Sequence, residues 1–432
     1  MNRRAFVQHL KKELPALVAD GVIDDASAER LRERYGTEAS RVGLMSAALS
    51  SLGALLVGGG VILVIAHNWS EFPRAARAAL SFLPLASAIA LTAFAVWTGR
   101  RSAAWREGLG IFYTLSSAAS IALVSQTYNI QGSGESFLFA WALFALPVVY
   151  LLDSAGASVV WLGTLSAWFA VRFSMAAPWA WFAFAAAFVP WLGWRLLRFL
   201  ELPSTALAAW AGFLSLLIAA AALFQGLGGV WSLTGLAALL AGMHLTGEVL
   251  SGHLASSWKN PALVLGRFGS LALLLTITYP DVWRWTLRHG GHRLEWAAIG
   301  WVFFALFSAG WMAALWVGWT RRARQGFVLG AMPLAILAIG QASSTLGTKG
   351  AALAFDLYGL TVGAYYLCRS TATRSLADLN LGMGLIAVLA ILRFFDSNMG
   401  ILARGLTFIA IGTAFLVVNR FLARRWEREA GT

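Results

Sequence analysis

The chain has 432 residues, 59% hydrophobic and 12% charged, with 21 Trp, 27 Phe and a mean hydropathy of +0.69. A soluble globular domain carries about 25% charged residues, so composition excludes that class and leaves an integral membrane protein. The formal charge of +13 follows from where the loops lie, as the spread of Lys and Arg shows, and implies no nucleic-acid partner.

The first 43 residues form their own segment. Phe6, Leu10, Leu14 and Leu17 recur at helical spacing, Gly21 breaks the pattern, and Asp24 or Asp25 can cap a second helix. This predicts a short cytoplasmic amphipathic helical pair, too polar for a signal peptide and suited to dock a cytoplasmic protein partner or to lie on lipid. Residues 44–421 then carry one long apolar run after another, each long enough to cross a hydrocarbon core of about 30 Å. Period-two alternation is missing, so the runs are helices, whose backbone groups pair within each segment. Fourteen spans are predicted, centred near residues 55, 87, 117, 144, 164, 188, 214, 238, 272, 307, 336, 359, 385 and 409. Residues 422–432 are a basic tail. The fold class is therefore all-α, a polytopic transmembrane helical bundle.

Alternating the loops across the membrane puts 23 of the 33 basic residues on the side of the N-terminus and 9 on the other. Short Lys- and Arg-rich loops stay in the cytoplasm, which places both termini inside. Cys368 is alone and reads as a free buried thiol. His244 reads as a solvated or hydrogen-bonded core histidine near the cytoplasmic end of its span, rather than a proton relay.

No Walker loop, nucleophile elbow, HExxH or CxxC pattern is present. The spacing of His289 and His292 alone makes no zinc site. No metal and no cofactor is implied, and the sequence leans away from an enzyme. The informative residues are polar groups at membrane depth, costly and therefore candidates for function. On this topology they gather at the outer helix ends: His67, Asn68 and Trp69; Gln126, Tyr128, Asn129 and Gln131 in LVSQTYNIQGSGES; Tyr279 and Asp281; Gln341; Asp356 and Tyr358; and Arg393, Asp396 and Arg404. Asp356 and Arg404 lie about 10 and 12 Å inward along their helices. A buried acid and base at one depth are expected to pair.

The run LGALLVGGGVILVIAHNW, the QTYNIQG segment leading into W-x-L-x-A-L-P-x-x-Y-L-L, the closing RFFDSNMGILARGLTFIAIGTAFLVVNRFLARRW and the Gly-Val-Ile of the N-terminal pair resemble the multi-pass bacterial membrane proteins grouped as domain-of-unknown-function family 2157. The resemblance implies a bacterial inner-membrane protein and carries over no catalytic residue. Three functions stay open, in this order. The first is transport or handling of a polar solute or lipid headgroup in an outward-facing polar cavity lined by these residues. The second is a membrane-embedded enzyme on a lipid-linked substrate. The third is a non-catalytic assembly or sensing protein.

Overall fold

The computed structural model describes residues 69–396, short gaps apart, with scattered positions before residue 29 and after residue 408. Among the described residues the secondary structure is helical and no strand occurs. The helices are α1 (Arg74–Trp97), α2 (Ala103–Tyr128), α3 (Gly134–Leu152), α4 (Ala155–Arg172), α5 (Pro178–Arg198), α6 (Pro203–Gln225), α7 (Gly229–Ser251), α8 (Pro261–Ile277), α9 (Pro280–Arg288), α10 (Leu294–Thr320), the single turn α11 (Phe327–Gly330), α12 (Met332–Thr373) and α13 (Leu376–Asp396). Two compact units emerge, Met1–Leu80 and Ser81–Thr432.

Among the described residues eight helices are long and apolar enough to cross a membrane, or nine if α8 and α9, bent by 86° at their junction, form one broken span. That count takes α12 as a single helix, yet its 42 residues would reach about 63 Å. Gly347 divides it with φ 67° and ψ 170°, a conformation open to glycine. The Tyr358 hydroxyl donates to the Val328 carbonyl, which requires the second leg to fold back along the first. The predicted spans near 336 and 359 are these two legs. Those near 87, 117, 144, 164, 188, 214, 238, 272, 307 and 385 fall inside α1 to α8, α10 and α13. The span near 55 lies outside the described residues, and near 409 scattered positions alone are described.

Helix ends follow local chemistry. Asn129 takes the left-handed conformation (φ 51°), and the Ile130 N–H returns to the Ser125 carbonyl, closing α2. Four residues on, Ser133 and Ser136 cap each other's backbone N–H groups and open α3. Pro84 interrupts α1, and the Leu85 N–H donates to Ser120 Oγ of α2 instead. A neighbouring helix thus satisfies a group that water cannot reach.

In lipid the hydrophobic effect does not press helices together, so close packing and polar glue must. Both appear. α7 is the most enclosed span, with 67% of its apolar window buried. A Cβ on Gly247 would come within 2.4 Å of the Leu263 backbone, and one on Gly266 within 2.2 Å of the His244 nitrogen, so α7 and α8 touch backbone to backbone. Indole N–H groups bond carbonyls on other segments: Trp141 to Thr114, Trp161 to Ala142 and Trp311 to Gly330. Outward faces carry large apolar side chains such as Trp97, Leu197 and Trp316, as a lipid-facing surface requires. Cys368 corrects the expectation of a buried thiol: it is exposed, turned off the face of α12 that packs on α13. His244 corrects the expectation of a solvated or hydrogen-bonded histidine: it is fully buried, and neither ring nitrogen has a hydrogen-bond partner among the described residues.

In the N-terminal unit, Asp24 Oδ1 accepts the Ser27 N–H at 3.3 Å, the cap expected there, and Leu14 and Ala28 are buried.

Candidate functional site

A cleft of about 710 Å3 opens between α1, α2, α3 and the loop joining the last two. Its walls are Phe82 and Leu85 of α1, Ile121 and Val124 of α2, and Phe137, Ala140 and Phe144 of α3. Gln131, Ser133 and Ser136 stand at one end, where the loop lies. From Ser136 to Phe144 the cleft follows eight residues of helix, about 12 Å. Its size is that of a small-molecule site, about 300–1,000 Å3. Its chemistry is two-ended, polar at the loop and mainly apolar along the helices, where Ser120 Oγ accepts the Leu85 N–H and Ser125 Oγ donates to the Ile130 carbonyl at the loop end.

A second polar centre sits at the elbow between α8 and α9. Arg393 of α13 meets Asp356 of α12 through Nε, 2.9 Å from Oδ1 and 2.8 Å from Oδ2. Its Nη2 donates to the Thr278 carbonyl at the end of α8, and its guanidinium lies 5.9 Å from the Tyr279 ring centroid. Thr278 is a residue whose carbonyl the helix leaves without a partner, and a cation there also meets the negative end of the helix dipole. One side chain therefore joins three helices and fixes the elbow. The Asp356 side chain is 14% exposed and that of Arg393 32%.

Two further clusters lie at the opposite helix ends. In the first, Arg195, 1% exposed, uses all three of its nitrogens: Nη1 on Asp153 Oδ1 (2.6 Å) and the Asp153 carbonyl, Nη2 on Ser204 Oγ, and Nε on Thr205 Oγ1. Arg106 binds the other Asp153 oxygen at 3.0 Å, and the Trp191 indole donates to the first. Beside it the Glu107 carboxylate accepts the Ala155 and Gly156 N–H groups and the Ser154 hydroxyl, capping α4. In the second cluster, Glu248 of α7 pairs with Arg267 of α8, and Arg369 of α12 with Asp378 of α13 at 3.2 Å.

The expected site residues divide between these places. Gln131 lines the cleft; Gln126 and Tyr128 are exposed beside it, and Asn129 forms the turn. Asp356, Arg393 and Tyr279 come together at the elbow, with Asp281 exposed on α9. Tyr358 turns to Val328, and Gln341 is exposed on the first leg of α12. Trp69 is buried in the N-terminal unit. Asp396 ends α13, its side chain outside the described residues, as are His67, Asn68 and Arg404. The lining of the cleft contains neither Asp356 nor Arg393. Sequence reading missed the Arg195 hub: Arg106, Asp153 and Arg195 each looked like a loop charge. The available signal was an acid in a two-residue connector, LLDSAG, between two long apolar runs.

Membrane-length apolar helices, Trp and Ser bonds between them and inward charges held in pairs define a multi-pass α-helical membrane protein. Residues 15–158, about a third of the chain, match the family described as "Predicted membrane protein (DUF2157)", which shows over that stretch the family resemblance carried by the sequence. No curated protein and no solved structure matches the chain.

Proposed function

We propose that the protein is a lipid-handling protein of the bacterial inner membrane. A lipid or similar amphiphile rests with its headgroup at the outward-facing Gln131–Ser136 loop and its chain along Phe82, Ile121 and Phe144. The observation that carries this is the two-ended chemistry of the cleft. Small-molecule sites combine mostly apolar walls with a few placed polar groups; here those groups gather at the loop while the inner walls, Ser120 apart, are aromatic and aliphatic, which suits an amphiphile. The α2–α3 turn supports the reading, since a cap at each side holds the loop in one shape with the Gln131 amide exposed.

The test is native mass spectrometry on detergent-purified protein. The wild type should retain lipid through a stringent detergent wash. Ala140→Trp fills the cleft and should lower the retained fraction about tenfold, the effect of about 1.4 kcal/mol. Leu357→Trp, on an exposed face of α12, should leave retention unchanged. Equal retention in all three proteins, or none in the wild type, contradicts the proposal.

A further inference from the structure

α9 is unlike the other helices. It has nine residues, follows α8 after an 86° bend and is the most strongly amphipathic segment described. At about 13 Å it cannot cross a bilayer, and a helix set at a right angle to a spanning one runs along the membrane surface. Its inner side is anchored. Trp283 is fully buried, stacks on Phe355 of α12 with centroids 5.5 Å apart, and donates its indole N–H to the Ile277 carbonyl; Thr286 is buried beside it. Arg393 holds the elbow from below through the Thr278 carbonyl.

Its outer side presents Arg284 and Arg288, one turn apart, flanked by exposed Trp285 (57%) and Leu287 (46%). Arg284 bonds Asp281 at 2.6 Å, yet both side chains are more than half exposed. The sequence continues through His289, His292 and Arg293, so between 280 and 293 it holds one acid and three arginines. Trp at the flank of a basic surface is the pattern of a headgroup-level helix.

We propose that α9 lies in the plane of the bilayer surface and binds anionic phospholipid headgroups, Arg284 and Arg288 contacting phosphates while Trp285 and Leu287 sit in the headgroup layer. Charge complementarity selects the occupant: a net basic, aromatic-flanked face at membrane level meets anionic lipid before any other partner. The inference rests on the membrane-spanning fold and is independent of the cleft.

The test uses full-length protein in nanodiscs, with Cys368→Ser as background and a bimane fluorophore on Leu287→Cys. Quenching by phosphatidylglycerol carrying a headgroup spin label is compared with quenching by the equivalent phosphatidylcholine. The anionic lipid should quench several-fold more strongly. Arg284→Gln with Arg288→Gln should bring the ratio to about one, the two arginines together accounting for the preference, while quenching by phosphatidylcholine stays as it was and shows the helix still seated. Quenching by neither lipid in the parent, which would put α9 in water or under a protein partner, overturns the proposal. So does an anionic preference that survives the double change.

Discussion

Arg393 is where the cost of a charge in the membrane is met most economically. Its guanidinium satisfies one acid, one helix-end carbonyl and one aromatic face, drawn from α12, α8 and the elbow. Breaking a pair by removing one partner leaves the other uncompensated, at about 3–5 kcal/mol for a buried pair and about 1 kcal/mol or less for an exposed one. Asp356 and Arg393 are in between, nearer the buried case. Asp356→Asn and Arg393→Gln are each expected to lower the melting temperature in detergent, and the double variant to lose less than the two losses summed; additive losses would show that the side chains do not couple. That Asp356 needs a basic partner was legible from its place in an apolar run. Its partner was not, because spacing fixes height and leaves the lateral neighbour open. Arg404, the partner expected from depth, lies outside the described residues, and Arg393 comes from the helix that α12 packs against. Arg195 and Asp153 were illegible for the same reason: 42 residues separate them, and no helical period links them.

Elements were the most legible scale. Apolar runs of membrane length became helices because lipid leaves the backbone no other way to pair. The amides of LVSQTYNIQGSGES divide between turn and surface. Asn129 is there for its left-handed backbone and Gln131 faces the cleft. Less legible was the bend after α8. TYPDVW marks a helix end, with Pro280 opening the next helix, but an amphipathic turn of nine residues hides within the hydropathy of its neighbours. The N-terminal pair tests how far elements are independent. Helices of the length the sequence predicts there are too short to be stable alone, and we propose that they serve a cytoplasmic partner. Deletion of residues 2–38 is expected to leave a monodisperse, membrane-inserted protein on size-exclusion chromatography. Aggregation or degradation of the truncated chain would make the pair part of the core.

At the scale of the membrane unit the spanning helices are joined by short connectors, and contacts between their ends sort the polar features onto two faces. The loop with Gln131 and the α8–α9 elbow end up at one, the Arg106–Asp153–Arg195 hub and the Glu248–Arg267 pair at the other. From the 23-to-9 bias of basic residues we propose that the second face is cytoplasmic, and the outward-facing cleft and the cytoplasmic pair depend on that assignment. It is tested most directly by cysteine accessibility in intact cells, with Cys368→Ser as background and single cysteines at Ser133, Gly291, Ser102 and Arg322. A membrane-impermeant maleimide added from outside should label the probes at 133 and 291 and reach those at 102 and 322 only after the cells are opened. Labelling of 102 and 322 in intact cells, with 133 and 291 protected, would invert the molecule and contradict the account.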